Sequence, residues 1–511
     1  MTLLCVPIFV TDDMVKLRGV ALRACEAGAD ILELRLDEIG GEAQLVPLRQ
    51  FLRHAPLPCI LTCRPISEGG QSELADTERW EVLQSAREGQ AAYVDFELAA
   101  ASRVDLTNSP RPLILSAHDF FGRPNRLANL VLDLNASRSE VNKIAWTARS
   151  IRDNIEAFEL LQTREKPTIA LCMGEAGLIS RVLAKKFGAF LTFASLDNNS
   201  GTAPGQISIE KMKRLYRWDA LGPSTKVYGV VGSPVAHSMS PAIHNAAFEN
   251  AGYDGIYLPL LVNPGYESFK AFMESFLAFE PLHLSGLSIT IPHKENALRY
   301  LKERGAEIEE LAERIGAVNT IVIGKDRALR GFNTDYAAIL DSITAALNIT
   351  RQQLAGYRVA VIGAGGTGRT AVAALAHCGA TVVVYNRTAE RAAALATEFT
   401  GRSGKVVAAP LEKLCDSCCQ IYINTTSVGM HPNVHASPLG ERLPAFTAET
   451  LVFDTVYNPP VTRFLAQAQA AGARTIGGIE MFIRQAAGQF HAWTGHDAPM
   501  DLMRKVVESR L

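Results

Sequence analysis

Tyr357-Arg358-Val359-Ala360-Val361-Ile362-Gly363-Ala364-Gly365-Gly366-Thr367-Gly368-Arg369 is an apolar strand that runs directly into a glycine-rich turn and opens an Ala-rich helix. A second strand follows at Thr381–Tyr385. The glycines therefore sit in a strand–turn–helix–strand unit of about 30 residues, the setting that gives a lone G-x-G-x-x-G its meaning. Gly363, Gly365 and Gly368 permit the tight turn and let the backbone approach a pyrophosphate, which rests on the free N–H groups of the helix N-terminus. Readers of NAD usually place an acid after the second strand; here the chain reads Asn386-Arg387-Thr388. A guanidinium and a hydroxyl suit a 2′-phosphate, so NADP(H) is the predicted cofactor. Arg369 is either a further phosphate contact or a solvated first-turn arginine.

Outward from this motif, the 511 residues imply about three domains. Hydrophobic residues make up 48% and charged residues 20%, which excludes a disordered or low-complexity chain. A net charge of −2 supplies no basic field for nucleic acid or an anionic membrane. No apolar run reaches the roughly 18 residues a spanning helix needs. Nine cysteines and the absence of a leader segment fit free thiols in a cytoplasmic protein, or in a plastid one if the chain is a processed form. Cys415, Cys418 and Cys419 lack a second ligand pair at metal spacing and read as buried thiols on a helix end, so no metal is expected.

A Gly/Pro/Ser stretch, Leu221-Gly222-Pro223-Ser224-Thr225, marks a boundary near residue 222. Before it lie eight apolar, β-rich runs: Leu3–Val10, Ile31–Leu36, Cys59–Cys63, Ala92–Glu97, Leu113–His118, Val141–Ala145, Thr168–Cys172 and Phe190–Phe193. The intervals are long enough for a helix each, as in Thr77–Glu88, which predicts an N-terminal (β/α)8 barrel over 1–222. Glu33, Arg35, Arg64, Glu97, His118, Asp119, Lys143 and Arg181 stand at or beyond the strand ends, where barrel active sites assemble. Lys143 lies within the apolar run Val141-Asn142-Lys143-Ile144-Ala145-Trp146. Desolvation there predicts a lowered pKa and a neutral amine able to attack a ketone. A histidine of near-neutral pKa such as His118 could then remove the adjacent C–H proton.

Beyond the boundary, strands predicted at Val227–Val231, Tyr257–Val262, Gly286–Ile291 and Asn319–Ile323 alternate with helices. Gly232-Ser233-Pro234-Val235-Ala236-His237-Ser238-Met239-Ser240-Pro241, Ser288-Ile289-Thr290-Ile291-Pro292-His293-Lys294, Gly331-Phe332-Asn333-Thr334-Asp335 and Asn424-Thr425-Thr426-Ser427-Val428-Gly429-Met430 resemble shikimate dehydrogenases. So do Asp454-Thr455-Val456-Tyr457-Asn458-Pro459 and Gly477-Gly478-Ile479-Glu480-Met481-Phe482. The resemblance implies a substrate domain over 223–335, a Rossmann-like NADP domain over 336–478, and a helical segment, 479–511, packing back on the substrate domain. It implies shikimate contacts from Ser238, Ser240, Thr290, Asn319, Tyr457 and Gln485, with Lys294 and Asp335 as the proton-transfer pair. Gly366, Thr425 and Gly478 join Gly363, Gly365, Gly368, Asn386, Arg387 and Thr388 as cofactor residues. Ser240-Pro241 also reads as an N-cap followed by Pro at the first helical position.

Glu33-Leu34-Arg35-Leu36-Asp37, Thr62-Cys63-Arg64, Glu68-Gly69-Gly70, Asp95-Phe96-Glu97 and Ser116-Ala117-His118-Asp119 are similar to type I 3-dehydroquinate dehydratases. Lys143-Ile144-Ala145, Ser180-Arg181 and Ala203-Pro204-Gly205-Gln206 complete that series. This resemblance implies Lys143 as the Schiff-base lysine, His118 as general acid/base and Glu68 as its carboxylate partner. Glu33, Arg35, Arg64, Arg181, Thr202 and Gln206 become substrate contacts.

Together the two resemblances imply consecutive reactions, dehydration of 3-dehydroquinate to 3-dehydroshikimate and its NADPH-dependent reduction to shikimate. Small molecules are then the partners. Two alternatives remain open at this level: an aldolase-type Schiff-base barrel acting on another oxo acid, and a second half that binds NADPH without turnover.

Overall fold

In the first eight strands almost every residue is buried, as parallel strands covered on both faces require. They are β1 (Leu3–Phe9), β2 (Ile31–Arg35), β3 (Cys59–Thr62), β4 (Tyr93–Glu97), β5 (Leu113–Asp119), β6 (Val141–Thr147), β7 (Thr168–Met173) and β8 (Leu191–Phe193). The computed structural model describes residues 2–39, 41–106, 112–197, 205–401 and 404–511. The eight strands pair in the order β7-β6-β5-β4-β3-β2-β1-β8. Phe190 N donates to Thr168 O at 2.8 Å, which brings β8 back to β7 and nearly closes the barrel. Cys5, Ile31, Ile60, Ile114, Val141, Ile169 and Leu191, from seven different strands, fill the interior in one cluster. Ser116 stands opposite Lys143, and Glu97 opposite Ser116, so polar side chains accumulate toward the C-terminal ends.

Full helices such as Met14–Glu26, Glu42–Arg53, Asp76–Arg87 and Asp153–Gln162 occupy several intervals. The expectation of a full helix in every interval is corrected: Leu98–Ala101 and Leu178–Val182 are single short turns. Ser180 Oγ pins the second by donating to Gly177 O and accepting from Cys172 N.

The chain divides into two compact units, Met1–Ser238 with Asp254–Leu284, and Met239–Tyr253 with Ser285–Leu511. The boundary expected near 222 falls inside the first. That unit continues into β9 (Lys226–Gly232) and its parallel neighbour β10 (Gly255–Leu261). The buried Lys186 Nζ donates to Pro223 O at 2.6 Å and Thr225 O at 2.9 Å, while Phe187 packs between Phe158 and Phe279.

In the second unit β11 (Leu284–Ile289) runs antiparallel to β13 (Thr320–Ile323), which forms a hairpin with β14 (Leu329–Phe332); β12 (Glu307–Ile308) lies parallel to β14. The sequence reading contains neither β12 nor β14. β12 is two residues long, and β14 mixes Leu, Arg, Gly and Phe without an apolar run. The remaining strands are β15 (Arg358–Ile362), β16 (Thr381–Tyr385), β17 (Lys405–Ala409), β18 (Ile421–Asn424), β19 (Leu451–Asp454) and β20 (Arg474–Ile476). They form a parallel sheet in the order β17-β16-β15-β18-β19-β20, the doubly wound arrangement whose direction reverses between β15 and β18. Val359 and Val361 face one core, Ala360 and Ile362 the other. The helix Gly478–Thr494 lies against β13, with Trp493 Nε1 donating to Ile321 O at 3.1 Å. No helix among the described residues is long and apolar enough to cross a membrane.

Candidate active sites

One pocket at the C-terminal end of the barrel collects Glu33, Arg35, Arg64, Glu68, His118, Lys143, Arg181 and Gln206. Thr202 lies outside the described residues. Lys143 Nζ stands 2.7 Å from Asp95 Oδ2 and 3.4 Å from Glu33 Oε1, with the Phe193 ring centroid at 4.8 Å. Two buried carboxylates thus face the amine, neither of which the sequence reading set beside it. Burial would raise the Asp95 carboxyl, but Arg64 and Lys143 overcome it and hold the group far below its ordinary range. Asp95 makes the shortest contact to the lysine, yet the sequence reading gives it no role. Its signals were an acid inside an apolar strand and its place in the motif Asp95-Phe96-Glu97.

His118 Nδ1 lies 2.9 Å from Glu68 Oε2, and its ring stacks on Phe120. Burial, reinforced by Arg64 and Lys143, pushes the imidazolium well below its usual value. This corrects the expectation of a near-neutral pKa: His118 is uncharged and has base capacity throughout the neutral range. Burial raises the Glu68 carboxyl to about 7, so this partner changes charge near neutrality.

The three arginines differ. Arg35 pairs with Asp37 at 2.6 Å. Arg64 reaches Asp95 and Glu97, each at 2.8 Å, and Ser116 Oγ at 2.7 Å. Arg181, only 1% exposed, has no acid partner among the described residues, and its Nε is without a hydrogen bond. Burial pulls its guanidinium down to about 10. A buried cation with no acid partner among the described residues is a natural seat for an external carboxylate.

In the second unit, Lys294 opens the helix Lys294–Glu303 and its Nζ stands 2.6 Å from Asp335 Oδ2. Asp335 lies in the first turn of Thr334–Leu347, capped by Asn333 Oδ1, which accepts from Asp335 N at 3.1 Å. Buried Asn319 exchanges bonds with Thr334: its Nδ2 donates to Thr334 Oγ1 at 3.0 Å, and Thr334 N donates to Asn319 Oδ1 at 2.8 Å. Thr290 follows β11 and is half-buried. Tyr457, beyond β19, stacks on Phe482, whose carbonyl accepts from Gln485 Nε2. Ser240 corrects the N-cap expectation. The helix Ser240–Asn250 already includes it, Met239 occupies the cap position, and no side chain caps the turn. Ser238 precedes that helix and belongs to the first unit.

The glycine turn has the shape a dinucleotide requires. Gly363 adopts φ +111°, and a Cβ on Gly368 would meet Gly363 O at 2.2 Å. Gly365 and Gly366 face open space at the N-terminus of the helix Gly366–His377. Asn386 Oδ1 accepts from Ala364 N at 3.1 Å and so ties the end of β16 to this turn. Asn386 Nδ2 donates to Thr388 O, and Arg387 beside them is exposed. Thr425 Oγ1 donates to Ile362 O at 2.8 Å. Gly478 packs so closely on Val456 that a Cβ would come within 2.5 Å of its carbonyl. Arg369 is neither a free nor a solvated arginine: it pairs with Glu398, donates to Ile315 O and lies over Phe399. Among the three clustered cysteines, Cys419 is buried, Cys415 half-buried and Cys418 exposed, which revises the reading of three buried thiols.

The fold and the two sites define a two-centre α/β enzyme, a lysine-centred barrel joined to a Rossmann dehydrogenase. Residues 4–223 match the type I 3-dehydroquinase family, and residues 230–321 the shikimate dehydrogenase substrate binding domain. Residues 345–472 match shikimate / quinate 5-dehydrogenase, and 478–508 the shikimate 5′-dehydrogenase C-terminal domain. The chain is 38% identical to a bifunctional 3-dehydroquinate dehydratase/shikimate dehydrogenase, chloroplastic, of Arabidopsis thaliana, over 99% of this chain and 84% of that protein. It is 41% identical to the shikimate dehydrogenase (NADP(+)) of Methanosarcina mazei over 55% of this chain and 97% of that one. A crystal structure of shikimate 5-dehydrogenase from Thermus thermophilus with NADP(H) and shikimate aligns with a TM-score of 0.47 at 35% identity, covering 56% of this chain and 100% of that chain. The chain belongs to the family of bifunctional 3-dehydroquinate dehydratase/shikimate dehydrogenases.

Proposed function

We propose that the barrel dehydrates 3-dehydroquinate to 3-dehydroshikimate and that the second unit reduces this product to shikimate with NADPH. The observation that carries the reading is the single pocket in which Lys143, the His118–Glu68 pair and unpaired Arg181 meet. Arg181 binds the substrate carboxylate. Lys143, once its proton has gone to solvent through the pocket, attacks the ketone as the neutral amine, and a proton returned to the carbinolamine hydroxyl lets it leave as water and gives an iminium. Neutral His118 removes the adjacent C–H proton into this electron sink. The enamine then expels the β-hydroxyl, which takes the proton back from His118 and leaves as water. Hydrolysis of the iminium restores the lysine and the ketone.

In the second unit, Gly363, Gly365, Gly366, Gly368 and the helix N-terminus hold the pyrophosphate, and Arg387 with Thr388 holds the 2′-phosphate. NADPH, when bound, supplies the hydride. Thr290, Asn319, Tyr457 and Gln485 orient the ring, with Ser238 and Ser240 as the family's further contacts. Lys294 Nζ, aimed by Asp335 Oδ2 at 2.6 Å, delivers the proton that the new alkoxide needs. Nine free thiols fit the reducing cytoplasm or a plastid interior.

A coupled assay tests the reading. The purified chain should convert 3-dehydroquinate and NADPH to shikimate with no other enzyme, and borohydride should lock substrate onto Lys143. An adduct elsewhere, or none, refutes the barrel mechanism.

A further inference from the structure

The ionic contacts around Lys143 continue away from the pocket. Arg79, on the helix Asp76–Arg87, is fully buried, does not line the pocket and takes no part in the chemistry above. Its Nη1 donates to Glu97 Oε2 at 2.6 Å and to Cys63 O at 2.7 Å, and its Nη2 to Asp76 Oδ1 at 2.6 Å. The other oxygen of Glu97 accepts from Arg64, whose second arm holds Asp95, and Asp95 holds Lys143. Charge therefore alternates along one chain of contacts, Asp76, Arg79, Glu97, Arg64, Asp95, Lys143.

Glu97 is 1% exposed and leans on two arginines. Without Arg79, Arg64 would be the one cation left on Glu97 among the described residues, while still shared with Asp95, whose other cation is Lys143 itself. Buried ion pairs contribute little to stability compared with well-packed apolar side chains, so anchoring the helix is a weak reason for this arginine. Neutralising one carboxylate so that another cation can serve the nucleophile is a strong one.

We propose that Arg79 is a positioning residue for the dehydratase: by balancing Glu97 it commits Arg64 to Asp95, and so sets how readily Lys143 releases the proton it must lose before attack. The proposal rests on the Schiff-base reading of Lys143. The charged and titratable groups facing that lysine are Cys5 from β1, Glu33 from β2, Arg64 beyond β3, Asp95 from β4 and His118 from β5. Arg79 lies behind this set, and removing it leaves the connected network of Arg79, Glu97, Arg64 and Asp95 one unit more negative, which favours the ammonium. Removing the charge of Glu97 does the opposite.

The test follows the initial rate of the borohydride-trapped adduct at Lys143 against pH, in the full chain with 3-dehydroquinate. Relative to wild type, Arg79→Met should move the midpoint of this profile up by about one pH unit, a tenfold slower rate on its rising limb. Glu97→Gln should move it down, the double variant should lie near wild type, and Arg79→Lys should rescue the single defect. If Arg79→Met does not fold, the direction of the Glu97→Gln shift decides. Midpoints that stay in place in both single variants, or a Glu97→Gln shift to higher pH, overturn the proposal. No adduct in the wild-type chain overturns the Schiff-base reading and this role with it.

Discussion

Replacing Arg181 with Met should stabilise the barrel and abolish most of its dehydration activity. The side chain is 1% exposed, its Nε has no partner, and no acid faces it among the described residues. Burial lowers its guanidinium to about 10, and a depression of that size corresponds to about 3 kcal/mol spent in keeping the cation charged in the fold. Both folded and unfolded chains carry the proton below that value, so the cost is constant across pH 6–8 and is relieved only above about 10. Methionine has similar length and no charge, so urea unfolding should show a gain approaching 3 kcal/mol that is flat over the neutral range. Tryptophan fluorescence reports on this unit, because Trp80, Trp146 and Trp218 lie within it. A carboxylate held by a guanidinium gains about 1.5–3 kcal/mol per charged hydrogen bond, so kcat/KM of the dehydration should fall by about 100-fold, mainly through KM. Reduction of 3-dehydroshikimate by the same preparation should be unchanged. A variant that is less stable than wild type, or that keeps kcat/KM within about threefold, refutes the reasoning.

Glu68→Gln separates charge from shape in the same pocket. Because burial raises the Glu68 carboxyl to about 7, the wild-type fold loses stability from this group as pH rises from the ordinary carboxylate range through 7. The variant should show a flatter stability profile over that window and slower dehydration, checked by urea melts and steady-state rates at several pH values. Lys294→Ala should slow turnover of 3-dehydroshikimate by at least about 100-fold at saturating substrate, while leaving NADPH binding, measured by fluorescence titration, within about twofold. Arg387→Ala should reduce kcat/KM for NADPH by about tenfold or more, with little effect for NADH, as the loss of one charged phosphate contact requires.

Much of the fold was legible because its signals are local. The eight apolar runs lie within one or two residues of the observed strands, and Gly363-x-Gly365-x-x-Gly368 marks β15 and its helix without reference to anything distant. The reading does not extend to β12, two residues long, or β14, which has no apolar run, nor to β17–β20, although Ile421–Asn424 and Leu451–Asp454 are buried apolar strands. The helix start at Ser240 slipped by one residue, since a serine before proline fits either the cap or the first turn. Arg369 shows the same limit, for nothing near it in sequence announces Glu398 or Ile315.

The sequence by itself determined the positions of the eight barrel strands, the nucleotide turn, and which residue types could act: a lysine within an apolar strand, a histidine at the end of the strand before it, and arginines at other strand ends. It could not determine their states. Lys143 is 48 residues from Asp95 and 110 from Glu33, and only closure of the barrel sets those carboxylates against it. Parallel strands place their C-terminal ends together regardless of separation along the chain. Charge, desolvation and pairing depend on distance in space, so the neutrality of His118, the raised carboxyl of Glu68 and the unpaired cation of Arg181 arise only in the tertiary structure.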